Sequence, residues 1–335
     1  MRKRGYMSHS ETVPVIDIAP YLTGGEDDKY AVARALAAAC TDSGFFCITG
    51  HGIDENLIAR TRHAGAEFFA RPLDQKQQIL RDADRTGRGY YPVADRALAK
   101  TLGVDTPPDL QEAWVMTREH VPDDPYFRTE SGIYFFGANK WPDAMPEFRT
   151  TVIDYFESMA RLGECMMGAM ALALGLKENF FADKIDKATN QFRFIHYPPQ
   201  QTTPKADQLR AGAHTDYGAL TMLRSDDVPG TLQVKLPRVG WTDIRPPPGA
   251  FICNLGDAMA RWTGGSWAST LHRVGNPPPD SASRGRISLV FFHQPNYDAV
   301  LGGIGDDGAH ADTITLGEHH IRKISAAVDS TPPAA

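Results

Sequence analysis

Apolar and polar positions are laid out differently in the two halves of this chain. In the first half they fall into segments of helical composition; in the second they form short apolar or alternating runs broken by Gly, Pro and Asp, the pattern of successive strands. An Ala- and Leu-rich helix is expected over residues 29–42, ending at Ser43-Gly44 before a short strand at Phe45-Phe46-Cys47-Ile48. Asp54 is placed to cap a helix running towards Ala70, and Pro72 starts a segment whose residues 74–81 continue helically. Two glycines beside two aromatics make residues 87–91 a loop, and the Pro, Asp and Gly content of 101–145 predicts an irregular wrapping connection anchored by Trp114, Tyr134, Phe135, Phe136 and Trp141. Pro146 opens a long helix through Leu174 that Gly175 ends, with Met159, Met166, Met167 and Met170 as core packing. Strands are expected at 191–197, 213–223, 231–236, 241–245, 250–255, 269–274 and 286–293. A double-sheet jelly roll is the natural closure for such a series.

Within those strands, two segments carry chemistry. His214 and Asp216 stand two apart, so both aim to one face if the stretch is extended. His272 follows Asp216 by 56 positions, a separation that a returning sheet closes and a single turn does not. Two imidazoles and one carboxylate can occupy one face of an octahedral iron(II) and leave the opposite positions open. An isolated HxD arises by chance, and most such histidines are surface or core residues. Arg286-x-Ser288, fourteen residues after His272 on the last expected strand, raises the functional reading. A guanidinium fork and a hydroxyl on one strand face suit the distal carboxylate of a 2-oxo acid.

These motifs make the chain resemble the isopenicillin N synthase-like branch of the iron(II)/2-oxoglutarate-dependent dioxygenases. The likeness extends to Val13-Pro14-Val15-Ile16-Asp17, residues 44–52, 191–199 and 248–257, and Phe292-His293-Gln294-Pro295-Asn296, so it covers about residues 12–297. It implies a mixed α and β fold with a double-stranded β-helix (jelly-roll) core and a helical N-terminal region packed around it. The divisions expected are an N-terminal region over 1–145, a supporting helix within 146–184, the catalytic jelly roll over 185–300, and a C-terminal extension over 301–335 whose tail, 329–335, is disordered. It also implies His214, Asp216 and His272 as iron ligands, Arg286 and Ser288 as anchors of the 2-oxoglutarate C5 carboxylate, and Tyr197 as a third partner. Ile195 stands where plant members often carry Asn, so a contact made by that Asn is missing or replaced.

The activity so implied is oxidation of a small molecule with iron(II), 2-oxoglutarate and dioxygen: hydroxylation, desaturation or cyclisation, with succinate and carbon dioxide as co-products. Two alternatives stay open. One is an isopenicillin N synthase-type oxidase or cyclase that does not use 2-oxoglutarate; the other is an ethylene-forming-type enzyme. Candidates for the substrate mouth are Tyr90, Tyr91, Arg193, Phe194, Thr221, Leu223 and Phe292, each of which could equally be packing. His293 is expected to satisfy a local hydrogen bond, and His310, His319 and His320 to lie on the surface.

Composition adds boundaries. At 335 residues and 42% hydrophobic content the chain can bury a sizeable core. A net charge of −6 speaks against a nucleic-acid-binding surface. No apolar run reaches the roughly 18 residues of a membrane span, and no apolar stretch follows Met1-Arg2-Lys3-Arg4, so a cytoplasmic protein without a membrane partner is expected. Cys40, Cys47, Cys165 and Cys253 lack CxxC spacing and read as buried free thiols.

Overall fold

The structure, a computed structural model, describes residues 12–81, 87–226, 232–304 and 313–328. The tail 329–335, His310 and the expected strand start at 231 lie outside the described residues.

Helices α1 (Ala19–Thr23), α2 (Glu26–Asp42), α3 (Glu55–Phe69) and α4 (Leu73–Gln77) come first. They are followed by α5 (Glu130–Phe136), the long α6 (Pro146–Ala173), α7 (Ala182–Ile185), α8 (Asp257–Trp262) and α9 (Leu316–Val328). Asp54 caps α3 as its sequence predicts, its Oδ1 accepting from Asn56 N at 2.9 Å. Gly175 takes φ +74° just past α6, a conformation costly for any residue with a Cβ. α4 stops at Gln77, short of the expected 81, because the chain then extends and bridges Leu80 to Tyr90.

Twelve strands are formed among the described residues. They are β1 (Val15–Asp17), β2 (Phe45–Thr49), β3 (Gly89–Tyr91), β4 (Glu112–Thr117), β5 (Gln191–Tyr197), β6 (Ala211–His214), β7 (Leu220–Ser225), β8 (Leu232–Leu236), β9 (Gly240–Asp243), β10 (Phe251–Leu255), β11 (His272–Val274) and β12 (Arg286–His293). Eight make one sheet in the order β1-β2-β10-β7-β12-β5-β4-β3, and four make a second in the order β6-β11-β8-β9. This is the expected double-stranded β-helix, with strands from the N-terminal third extending its larger sheet.

Four further expectations change. Residues 89–91 are a strand rather than a loop, paired with β4, and β4 lies within the stretch expected to be irregular. All six residues of β4 are buried. Glu112 disguised it, since a carboxylate there is tolerated only because Lys76, Tyr90 and His196 all bond to it, at 2.8, 2.5 and 2.8 Å. The strand expected over 213–223 is broken: β6 ends at His214, residues 215–219 turn, and β7 starts at Leu220 in the other sheet. Cys40, Cys47 and Cys253 are buried free thiols, whereas Cys165 is exposed on α6.

The larger sheet has two unlike faces. Outward, Trp114, Phe192, Phe194, Met222 and Phe291 pack under α3 and α6, where the four α6 methionines are almost fully buried. α3 comes closest at Gly65, where a Cβ would stand 2.7 Å from the Phe194 ring. Inward, the alternate residues of the same strands face a cavity of about 1020 Å³ that the smaller sheet closes from the other side.

Candidate active site

β6 and β11 pair antiparallel with His272 opposite His214, which sets the two imidazole ring centroids 4.3 Å apart. The chain turns after β6, and the turn brings Asp216 back towards them. Its Oδ1 lies 3.9 Å from His214 Nε2 and 3.7 Å from His272 Nε2. The three candidate ligands are therefore brought together by a strand end, a turn and a neighbouring strand, and His214 and Asp216 do not share one extended strand.

Every other polar atom of the three is already engaged. His214 Nδ1 is 2.8 Å from Gly212 O and His272 Nδ1 is 3.1 Å from Thr270 O. Carbonyls only accept, so each Nδ1 carries the proton and each Nε2 presents a lone pair inward. Asp216 Oδ2 accepts from Thr221 Oγ1 at 2.6 Å and from Asn254 Nδ2 at 2.8 Å, which leaves Oδ1 for the shared space. Burial, helped by neighbouring His272, pushes the His214 imidazole down to about 4. Burial alone would raise the Asp216 carboxyl, but the two imidazoles and the two hydrogen bonds outweigh it and hold it below its ordinary value. Neutral imidazoles and an ionised carboxylate are the forms a metal needs. The three donor atoms lie within 4.8 Å of one another, so one divalent transition-metal ion fits this set, and the remaining sides face the cavity.

A second polar group lines the same cavity from the larger sheet. Arg286 is opposite Tyr197 across β12 and β5, with its guanidinium 5.6 Å from that ring centroid, and Ser288 lies two residues on. All three are buried, and Ser288 Oγ has no hydrogen-bond partner. A buried hydroxyl without a partner is costly. A carboxylate between Arg286 and Ser288 would remove that cost, so the residues fit a dicarboxylate co-substrate.

Of the expected mouth residues, Tyr91, Arg193, Thr221, Leu223 and Phe292 line the cavity. Tyr90 and Phe194 do not. Strand alternation turns each to the outer face, where Tyr90 bonds Glu112 and Phe194 packs against Trp114 and Phe148. Thr221 reaches the cavity wall by supporting Asp216. Arg193 bonds Gln191 Oε1 at 2.7 Å and its guanidinium lies over the Phe292 ring at 5.0 Å.

The surface placement expected for His319 and His320 is overturned: both are buried, because α9 packs over the cavity. His319 Nε2 and Lys323 Nζ bind Asp257 Oδ2 on α8 at 3.2 and 2.9 Å. His320 reaches the cavity among Phe135 and Tyr217, and burial pushes it down to about 3. His293 makes no local hydrogen bond through either ring nitrogen. It is wedged against Gly163 of α6, and burial pushes it down to about 4.

Other site residues were not anticipated. Arg96 lies over the Tyr91 ring at 4.7 Å, and Tyr217 joins the lining. Asn254 supports Asp216, and Asp109 binds Leu98 N and Gly212 N, both at 2.9 Å, tying β6 to the turn at 98–102. Asn254 could have been found from strand alternation, since it pairs with Thr221. Arg96 and Asp109 sit in irregular chain with no period to read.

The fold and this site define a jelly-roll protein with a buried set of three donors that fits one metal ion and opens onto a cavity. Residues 13–144 match the family described as the non-haem dioxygenase in morphine synthesis N-terminal region, and residues 188–295 match the 2OG-Fe(II) oxygenase superfamily. The homoarginine-6-hydroxylase 2-ODD-C23 of Glycine max is 34% identical over 304 residues, covering 87% of each chain. Validamycin A dioxygenase of Streptomyces hygroscopicus subsp. limoneus is 32% identical over 93% of this chain and 86% of its own. Among solved structures, a full-length Neurospora crassa protein in complex with alpha-KG and thymine superposes with a TM-score of 0.80 at 27% identity, over 96% of this chain and 98% of that one. The chain belongs to the 2OG-Fe(II) oxygenase superfamily. It is a 2-oxoglutarate-dependent dioxygenase that uses iron(II), 2-oxoglutarate and dioxygen. The oxidase reading without 2-oxoglutarate and the ethylene-forming reading are not favoured by these relatives.

Proposed function

We propose that His214 and His272 through Nε2 and Asp216 through Oδ1 hold the iron, and that Arg286 and Ser288, with Tyr197 beside them, hold the far carboxylate of 2-oxoglutarate. The enzyme then oxidises a C–H bond of a small molecule in the cavity, most simply by hydroxylation, and releases succinate and carbon dioxide. The observation that carries this reading is the division of labour at each ligand: one atom tied to the protein, the other turned to a common point. Bound iron supplies the activation of dioxygen. The protein's part is placement. Thr221 and Asn254 fix the carboxylate, the strand-end carbonyls fix the imidazole tautomers, and the apolar walls limit water.

Small-molecule substrates fit the cavity and the relatives named above; a nucleic-acid strand fits neither the acidic chain nor the roof formed by α9. A reducing, cytoplasmic setting suits ferrous iron and four free thiols. No described helix is long and apolar enough to cross a membrane.

The test is a titration without oxygen, in which iron(II) is added to metal-free protein and 2-oxoglutarate follows while the metal-to-ligand absorption band is read. The band appears in wild type, and Arg286→Gln weakens 2-oxoglutarate by about 10- to 100-fold, the loss of a bidentate charge-assisted contact, while iron binds as before. An Arg286→Gln protein with wild-type 2-oxoglutarate affinity refutes the assignment of the anchor.

A further inference from the structure

The cavity contains more positive charge than iron and 2-oxoglutarate account for. Along the inner face of β5 the residues are Gln191, Arg193, Ile195 and Tyr197. Arg193 thus lies four residues from the Tyr197–Arg286 pair, a displacement of roughly 13 Å at the rise of a strand. A single diacid lying between Arg286 and the metal does not also need Arg193.

Arg193 has for company the Gln191 amide and the Phe292 ring, and among the described residues no carboxylate in ion-pair contact. Arg96 stands near enough to help burial push the Arg193 guanidinium down to about 10. It too has no ion pair among the described residues. The acids around it are committed elsewhere: Asp95 pairs with Arg81 at 3.0 Å, Asp109 gives its oxygens to Leu98 N and Gly212 N, and Asp216 faces the imidazoles. Among the described residues neither guanidinium has an ion-pair partner; Asp109 acts on Arg96 and Asp216 on Arg193 only through space, each carboxylate being hydrogen-bonded elsewhere, so the two cations repel each other across the cavity and an entering anion stabilises them.

The surroundings limit the rest of that anion. Phe292 lies under Arg193, Tyr91 lies under Arg96, and Tyr217 and Phe135 complete an aromatic wall. Within it, the buried atoms Thr117 Oγ1, Gln294 Oε1 and His320 Nδ1 have no hydrogen-bond partner. Guanidiniums resting against aromatic rings and lining one cavity suit a carboxylate carried on a ring-sized apolar body.

We infer that the primary substrate is a carboxylic acid with a flat, ring-sized apolar body, its carboxylate bound by Arg193 and Arg96 and its body lying between the aromatic wall and the metal. This rests on the iron and 2-oxoglutarate reading above for the identity of the neighbouring site. The anion and the co-substrate occupy different stretches of β5.

The experiment uses the full chain with iron(II) and saturating 2-oxoglutarate, without oxygen. Benzoate, phenylacetate and 2-naphthoate are titrated beside their amides by calorimetry, with the 2-oxoglutarate absorption band read in parallel. At least one acid is expected to bind tenfold or more tightly than its amide, and to shift the band. Arg193→Gln and Arg96→Gln each weaken that acid by about 10- to 100-fold and the amide by less than about 3-fold, and the double variant abolishes the preference. Arg96 lies outside the sheet, so its variant still reports if Arg193→Gln misfolds. The inference is overturned if no acid in the set binds, if acids and amides bind alike, or if both variants keep the wild-type preference. Absence of the band on adding 2-oxoglutarate would instead sink the co-substrate reading. The acid and amide comparison, repeated on metal-free protein with wild type and double variant, then still decides the anion site.

Discussion

Replacing Thr221 by valine removes one hydroxyl and leaves almost the same volume in the same strand. That hydroxyl is 2.6 Å from Asp216 Oδ2, both groups are buried, and Asn254 Nδ2 is the other donor to the same oxygen. A charge-assisted hydrogen bond of this kind is worth about 1.5–3 kcal/mol, and the loss of an outer partner of a metal ligand typically costs about 10- to 100-fold in affinity. The two figures agree, since a factor of ten is about 1.4 kcal/mol at 25 °C. Thr221→Val should therefore weaken metal binding by about 10- to 100-fold, while Thr221→Ser, which restores the hydroxyl, stays within about 3-fold of wild type. Competition against a chromophoric chelator measures this with iron(II) in the absence of oxygen, and with cobalt(II) in air. Circular dichroism of the metal-free proteins checks that the sheet is unchanged. The reasoning fails if valine binds metal as tightly as threonine, or if serine proves as weak as valine. Either result would mean that Asp216 is held by packing and that its donors are incidental.

Two more outcomes follow from other parts of the structure. Asp257→Asn should loosen α9, because burial is outweighed at this carboxyl by His319 and Lys323, which hold it well below the usual range. Limited proteolysis should cut the C-terminal segment faster, and substrate KM should rise several-fold with 2-oxoglutarate KM unchanged; equal proteolysis rates would count against the docking role. His293, pushed down to about 4 by burial, stays neutral in the fold while the unfolded chain protonates near 6.5. Stability is thus fully present above about pH 6.5 and declines as pH falls towards 4, by up to about 3 kcal/mol from this one ring. His293→Leu should flatten that part of the denaturant-midpoint profile, and an unchanged slope between pH 6.5 and 4 would show that other groups set it.

What the sequence made readable was whatever recurs at short spacing. His214, Asp216 and Arg286-x-Ser288 declare themselves because ligand chemistry dictates residue type, and the distant His272 is picked out once a returning strand is expected. Strand alternation was readable as a period but not as a phase. Tyr90 and Tyr91 are neighbours of similar chemistry, and only the pairing of Tyr90 with Trp114 reveals which one faces the core. β4 escaped because Glu112 looks like a surface residue until Lys76 and His196, distant in sequence, are seen to bind it. The roof over the site escaped for a related reason. His319 and His320 occur in a polar segment, and their burial depends on Asp257, some sixty residues earlier.

The alternation in β5 and β12 also shapes how such a protein can change over generations. Odd-numbered residues of β5 and even-numbered residues of β12 face the cavity, while their immediate neighbours Phe192, Phe194, Leu289 and Phe291 belong to the packed interior. Heritable variation at one set alters what the enzyme recognises; variation at the other alters whether it persists. Because the two sets interleave along the same strands, a lineage can explore new chemistry one codon at a time beside an interior that selection holds fixed. A laboratory library confined to Gln191, Arg193, Ile195, Val290 and Phe292 would sample the same freedom.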